Sequence, residues 1–124
     1  MPELYPEVRL VECNKRADRF LVDKFGLIGW GSNSGFQAVN LAIQFGASRI
    51  VLVGFDASLQ HGVHWHGRHP SPLVNPGQAA VDRWRLLLDQ QAPLLDRLGI
   101  EVVNASRHSA LAAYPRMDLL EALK

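Results

Sequence analysis

A single cysteine, Cys13, stands in the 124 residues, so no disulfide framework can form and an intracellular, reducing location is expected. Neither sign of charge dominates: 13 Lys and Arg against 12 Asp and Glu, interspersed along the chain, leave a formal net charge of +1. That balance offers no electrostatic footprint for nucleic acid or for an anionic membrane surface. No segment approaches about 18 consecutive apolar residues, which argues against a membrane-spanning helix. Residues 1–6 carry neither a basic start nor a long apolar run, so no secretory leader is expected and the cytoplasm is the expected compartment. Internal repeats and low-complexity tracts are absent, and so is the G-x-S-x-G elbow from which a serine nucleophile could be read. The length suits one domain over residues 1–124 with a single core. With 48% apolar and 20% charged residues the composition is that of an ordinary soluble globular protein.

What is present is organised around residues 27–56. Leu27, Ile28 and Trp30 read as a short strand, and Gly29, Gly31, Ser32, Asn33, Ser34 and Gly35 as a glycine- and serine-rich turn. A helix then runs to Phe45, and a second strand from Ile50 to Val53 ends in Gly54, Phe55 and Asp56. Ser34 as N-cap with Gln37 three residues on has the capping-box spacing. Open N–H groups at such a helix start make a seat for phosphate or carboxylate. The helix carries Phe36, Ala38, Val39, Leu41, Ala42, Ile43 and Phe45, an apolar girdle that predicts cover on more than one side, and Gly46 predicts its stop. The unbroken apolar run from Ile50 to Val53 predicts a parallel strand buried on both faces.

Before this unit, Val8, Leu10, Val11 and Cys13 suggest one strand and Phe20, Leu21 and Val22 another, joined as a hairpin without a strong turn dipeptide. After it, Asn75, Pro76 and Gln78 open a helix that Pro93 kinks or restarts and Gly99 ends. Residues 100–103 form a strand, 109–114 a helical turn, and 118–123 a last helical segment. The order predicts an α/β, Rossmann-like open sheet of about four to five mostly parallel strands with helices on both faces. In that arrangement residues 32–34, Asp56 with the loop after it, and residues 104–106 all leave strands at their carboxyl ends, where ligands of open α/β sheets bind.

Three constellations carry candidate chemistry. The first turn is close to the dinucleotide-binding glycine fingerprint but has one residue too many before its last glycine, and Asp56 stands where a ribose-binding carboxylate lies. A capped helix with no ligand explains the same residues, and Asp56 can equally be a turn or cap residue. The loop after Asp56 holds His61, His64, His66 and His69. His64, His66 and His69 have the H-x-H-x-x-H spacing of metallo-β-lactamase-like hydrolases, yet Arg68 replaces the Asp that precedes the last ligand and would repel a second metal. Catalytic or anion-binding histidines, surface or packing histidines, and a zinc site remain the alternatives, with no metal the favoured one. Asn104, Ser106, His108 and Ser109 can hydrogen-bond a base, a ribose or a sugar, or Ser106 and Ser109 can cap a short helix. Cys13, in an expected strand, reads as buried rather than reactive.

Read together, Asn33-Ser34-Gly35, the helix to Gly46, Gly54-Phe55-Asp56, the histidine loop and residues 106–114 resemble the carboxyl-terminal half of the bacterial sialyltransferases that use CMP-sialic acid. They also resemble the related hydroxymethylpterin pyrophosphokinase-like proteins. In that pattern a T-S-G turn opens a helix, a strand ends in G-x-D, a loop carries a catalytic-base histidine, and a last strand leads into P-N-S-L-L. Here residues 33–35 match the turn, residues 54–56 the strand end, one of His64, His66 and His69 the base, and residues 108–111 the last motif. Trp65 and Arg68 stand where the family has tyrosines that hold the leaving phosphate, and its glycine-rich first loop has no counterpart before Leu27. The chain is also similar to short uncharacterised phage and prophage proteins with an N-S-G turn and a W-H-G-x-H-P loop.

The resemblance implies a nucleotide or nucleotide-sugar binding domain, glycosyltransferase-like if active, with self-association as a homo-oligomer among the expectations because one half of the family's site is missing. Gly31, Ser32, Asn33, Ser34, Gly35 and Arg68 would hold phosphate, and Asp56, Asn104 and Ser109 would contact sugar or base. His66, or else His64 or His69, would act as base, with Asp56 among the catalytic candidates. A metal-dependent hydrolase using His64, His66 and His69 with Asp56, and a non-enzymatic phage or prophage accessory protein, are the competing expectations.

Overall fold

A computed structural model of the chain describes residues 7–59 and 77–124. These divide into two compact units, Met1–Ala47 and Ser48–Lys124.

In the first unit β1 (Glu12–Asn14) and β2 (Leu27–Gly29) pair in parallel, with Cys13 opposite Ile28. The expected hairpin is therefore overturned. Phe20, Leu21 and Val22 form no strand; Phe20 is buried with its ring 4.6 Å from that of Phe36, and Val22 is exposed. Local alternation cannot name a strand's partner, and the turn that follows β1, closed by the Ala17 N–H on the Asn14 carbonyl, leads into no second strand to pair antiparallel.

The helix α1 (Ser34–Gln44) starts one residue differently from expectation. Asn33, in extended backbone, is the N-cap, and its Oδ1 accepts the Phe36 N–H at 3.0 Å. Ser34 becomes the first helical residue, and Gln37 donates from Nε2 to the Trp30 carbonyl at 2.8 Å rather than back to the cap. At the other end Gly46, at φ 86°, donates to the Ile43 carbonyl while Ala47 donates to Ala42, the paired bonds of a Schellman motif.

Burial on α1 falls on Phe36, Val39, Asn40 and Ile43, one face at i, i+3, i+4 and i+7. Phe45 and Ala38 are exposed, so the helix is covered on one side only. Asn40 sits fully buried in the middle of that apolar face. Its Oδ1 accepts the N–H groups of Leu21 at 3.0 Å and Gly29 at 2.8 Å, and its Nδ2 donates to the Leu21 carbonyl at 2.8 Å. Gln44, one turn on, accepts the Gly26 N–H at 2.9 Å and donates to the carbonyls of Leu21 and Leu27. Together they satisfy backbone groups that would otherwise be buried unpaired.

In the second unit β3 (Arg49–Leu52) and β4 (Glu101–Asn104) pair in parallel, with Arg49 opposite Glu101 and Leu52 opposite Asn104. Arg49 Nε lies 3.0 Å from the Glu101 carboxylate, and its Nη1 donates to the Ala122 carbonyl at the end of α4 (Leu119–Ala122). Val103, Ala105 and Ala122 form a buried cluster against which Val51 and Met117 pack. Two helices, α2 (Gln78–Gln90) and α3 (Ala92–Arg97), are separated at Gln91 with Pro93 in the first turn of the second, as the proline predicts. Gly99, at φ 71°, ends α3 with a second Schellman pair, Gly99 to Asp96 and Ile100 to Leu95. The expected helical turn over 109–114 does not form, and Asp118 caps α4 by accepting the Leu120 N–H.

The expectation of one Rossmann-like sheet of four to five strands is contradicted. Among the described residues four short strands make two separate two-stranded parallel sheets. Successive β2, α1 and β3 do not form a unit of one sheet, because β2 pairs with β1 and β3 with β4. The side chains of α1 supply a physical reason on one edge: the Leu27 carbonyl and Gly29 N–H of β2 are already bonded to Gln44 and Asn40. On the far side of β4 a single bridge, Asn104 with Arg116, places residues 115–117 alongside, with Asn104 donating to the Pro115 carbonyl and Met117 to that of Asn104. Among the described residues no helix is long and apolar enough to cross a membrane.

Candidate functional site

Two polar turns, one in each unit, hold the described candidates. In the first unit the turn after β2 brings Gly31, Ser32, Asn33, Ser34 and Gly35 to the start of α1. Gly31 and Ser32 both adopt left-handed backbone, at φ 56° and 54°. For serine this conformation is uncommon, and an L residue there is disfavoured by about 1–2 kcal/mol. Two of the glycines have structural causes. A Cβ on Gly31 would lie 2.4 Å from the Phe36 ring, and one on Gly29 only 1.9 Å from the Arg19 carbonyl oxygen. Close internal packing therefore accounts for Gly29 and Gly31, two of the glycines in the fingerprint-like turn.

What the turn offers a ligand is narrower. Asn33 occupies the Phe36 N–H, and the Asn33 carbonyl accepts the Gln37 N–H at 3.2 Å. The N–H groups of Ser34 and Gly35 belong to the first turn, which has no intrahelical acceptors. Ser32 and Ser34 are exposed, and Lys15 sits with its ammonium 5.4 Å from the centre of the Trp30 ring.

In the second unit the parallel register brings the chain after β3 and the chain after β4 out at the same end. Gly54, at φ 77°, turns the backbone, and Phe55 is then gripped by side chains from the other segment. Its N–H donates to Ser106 Oγ at 2.9 Å, and its carbonyl accepts from Ser109 Oγ at 2.5 Å. The next carbonyl, that of Asp56, accepts the Ala110 N–H at 2.8 Å. Ala57 follows at φ 50°, a second non-glycine residue in left-handed backbone.

Behind this grip lies Asn104, fully buried. It donates from Nδ2 to Ser109 Oγ at 2.8 Å and accepts the Ser106 N–H at 3.1 Å. Ser109 Oγ also accepts the Leu111 N–H at 3.3 Å, and Arg116 donates to the Ser106 carbonyl. The amide of Asn104 and the hydroxyl of Ser109 are thus bonded within the fold. Ser106, 3% exposed, is equally internal. By contrast the half-buried Asp56 carboxylate has no hydrogen-bond or ion-pair partner among the described residues. A carboxylate in that condition is an acceptor for hydroxyl or amino groups from outside.

At the surface of this unit Asp89 of α2 accepts the N–H groups of Ala112 at 3.1 Å and Ala113 at 3.0 Å. Tyr114, buried beside it, donates its hydroxyl to the Leu88 carbonyl. Burial first, and then the negative charges of Asp89 and Asp96, push the Tyr114 hydroxyl well above the ordinary tyrosine range. The sequence reading missed Asp89, Tyr114, Asn40 and Gln44. The signal for Asn40 and Gln44 is their position on the helix face that carries Phe36, Val39 and Ile43.

His61, His64, His66, Arg68 and His69 lie outside the described residues, as do Asn75 and Pro76. Among the described residues no group of three or more His, Cys, Asp and Glu side chains is placed to hold a metal ion. Comparison of the chain with protein-family models, with curated proteins and with solved structures gives no match.

Proposed function

We propose that this chain binds a nucleotide or nucleotide sugar, in the manner of a glycosyltransferase-like domain. The observation that carries the reading is Asp56: a carboxylate without a partner among the described residues, on backbone held from both sides, at the carboxyl ends of parallel strands. Its role is to accept hydrogen bonds from sugar or ribose hydroxyls. In the first unit, taken by itself, the N–H groups of Ser34 and Gly35 at the start of α1 are the seat for a phosphate. The reading is one of binding; transfer chemistry through His64, His66 or His69, and an anion contact from Arg68, belong to the loop outside the described residues.

Isothermal calorimetry with CMP, UDP and ADP tests it. Saturable heat with at least one of the three, weakened in Asp56→Asn, is expected. Flat traces for all three overturn the proposal.

A further inference from the structure

We infer that Ser106 and Ser109 are positioning residues, acting through the backbone of Phe55 to hold the Asp56 carboxylate in one orientation. The inference rests on the reading of Asp56 as the group that meets the ligand.

Three bonds converge on three consecutive peptide units, those on either side of Phe55 and the one after Asp56. Ser106 Oγ takes the Phe55 N–H, Ser109 Oγ gives to the Phe55 carbonyl, and the Ala110 N–H gives to the Asp56 carbonyl. No β-ladder supplies them; a serine pair on the facing segment does the work of a neighbouring strand. Both serines are themselves held from behind, Ser109 at its hydroxyl and Ser106 at its backbone. Asn104 accepts the Ser106 N–H and donates to Ser109 Oγ, and Arg116 donates to the Ser106 carbonyl.

The consequence is visible one residue beyond the grip. Ala57 sits in left-handed backbone, a conformation that persists in a non-glycine residue only when its surroundings over-determine it. Fixed φ and ψ at Phe55 and Asp56 restrict the rotamers open to the Asp56 side chain, because the allowed χ1 wells depend on the backbone. The Asp56 carboxylate itself has no hydrogen-bond or ion-pair partner among the described residues. The grip therefore orders an acceptor before any ligand arrives, which lowers the entropic cost of binding.

Scalar couplings in labelled protein that report the Asp56 χ1 angle and the Ala57 φ angle test this without any ligand. The full chain is expected to show one Asp56 rotamer and a left-handed Ala57. Ser106→Ala, which removes a single bond, and Ser109→Ala are each expected to average the Asp56 rotamer, and Ser109→Thr to restore it. A merely structural role would lower the melting temperature and leave the Asp56 couplings unchanged. Averaged couplings in the unaltered chain, or unchanged couplings in Ser106→Ala, overturn the inference whether or not Ser109→Ala folds.

Calorimetry with the nucleotide that binds adds a second arm. Ser106→Ala is expected to weaken binding about fivefold in the unaltered background and not at all in Asp56→Asn. Equal weakening in both backgrounds means that Ser106 does not act through Asp56 and overturns the inference. Flat traces for the unaltered chain sink the nucleotide reading alone, since the couplings still decide whether the serines position Asp56.

Discussion

The Oδ1 atom of Asn40 accepts the Gly29 N–H at 2.8 Å, so a buried helix side chain occupies the backbone donor that a third strand would need. The same side chain holds both backbone groups of Leu21.

Replacing Asn40 by Leu keeps the branched shape, adds some bulk and removes every one of these bonds. Leu21 and Gly29 are then left with buried unpaired groups, each costing about 1–3 kcal/mol. We expect Asn40→Leu to lose about 3 kcal/mol or more in urea unfolding, because it removes one partner of each bond and leaves the backbone donors behind. A loss below about 0.5 kcal/mol would show that these groups find other partners.

The left-handed turn before α1 makes a pair of predictions of opposite sign. Ser32→Gly, at φ 54° on an exposed site, relieves backbone strain and should stabilise by about 0.5–1 kcal/mol. Gly31→Ala brings a Cβ to 2.4 Å from the Phe36 ring in addition to the strain, and should destabilise by about 2 kcal/mol or more. Gly46→Ala, with open space around it, should lose only about 1 kcal/mol. Melting temperatures of the three variants rank them.

Tyr114 gives a pH dependence. Its hydroxyl is raised in the folded state, so unfolding makes it easier to ionise. The folded state keeps the proton where the unfolded state, with tyrosine near pH 10, has lost it. The stabilisation is therefore full below about pH 10 and falls as the pH rises beyond it. Tyr114→Phe is expected to be about 1 kcal/mol less stable at pH 8, because the Leu88 carbonyl loses its donor. Unfolding curves from pH 8 to 11.5 should show that difference shrinking and then reversing above about pH 10. Parallel curves would mean that the hydroxyl titrates normally.

Asp89 anchors the segment before Tyr114. With its carboxylate bonded to two consecutive backbone N–H groups, Asp89→Ala is expected to cost about 2 kcal/mol, and Asp89→Asn, which keeps one acceptor, less than that. Chemical denaturation of the two variants separates the cases.

Parts of this fold are legible residue by residue. Gly46 and Gly99 stand at the ends of helices because both Schellman closures need positive φ, and Pro93 divides α2 from α3 because it cannot donate inside a helix. The parallel pairing of β3 with β4, and the meeting of their outgoing segments, follow from the helices between them. Strand partnership was not legible. Nothing in residues 10–22 distinguishes a hairpin from the parallel pairing of β1 with β2, and the bonds that limit the β2 edge come from a helix that follows it. Asn33 and Ser34 are both good caps, so a one-residue shift has little local cost. Asp56 could be named as a candidate from its place after a strand. The roles of Ser106 and Ser109 depend on a register between segments some 50 residues apart, which no local pattern carries.

The most direct test of the account is a titration of isotopically labelled protein with CMP, UDP and ADP, followed through the backbone amides. Saturable shifts at Asp56 and Ala57 with at least one of the three, lost in Asp56→Asn, are expected. Spectra unchanged by all three nucleotides, or shifts that avoid Asp56 and Ala57, would contradict the proposed reading.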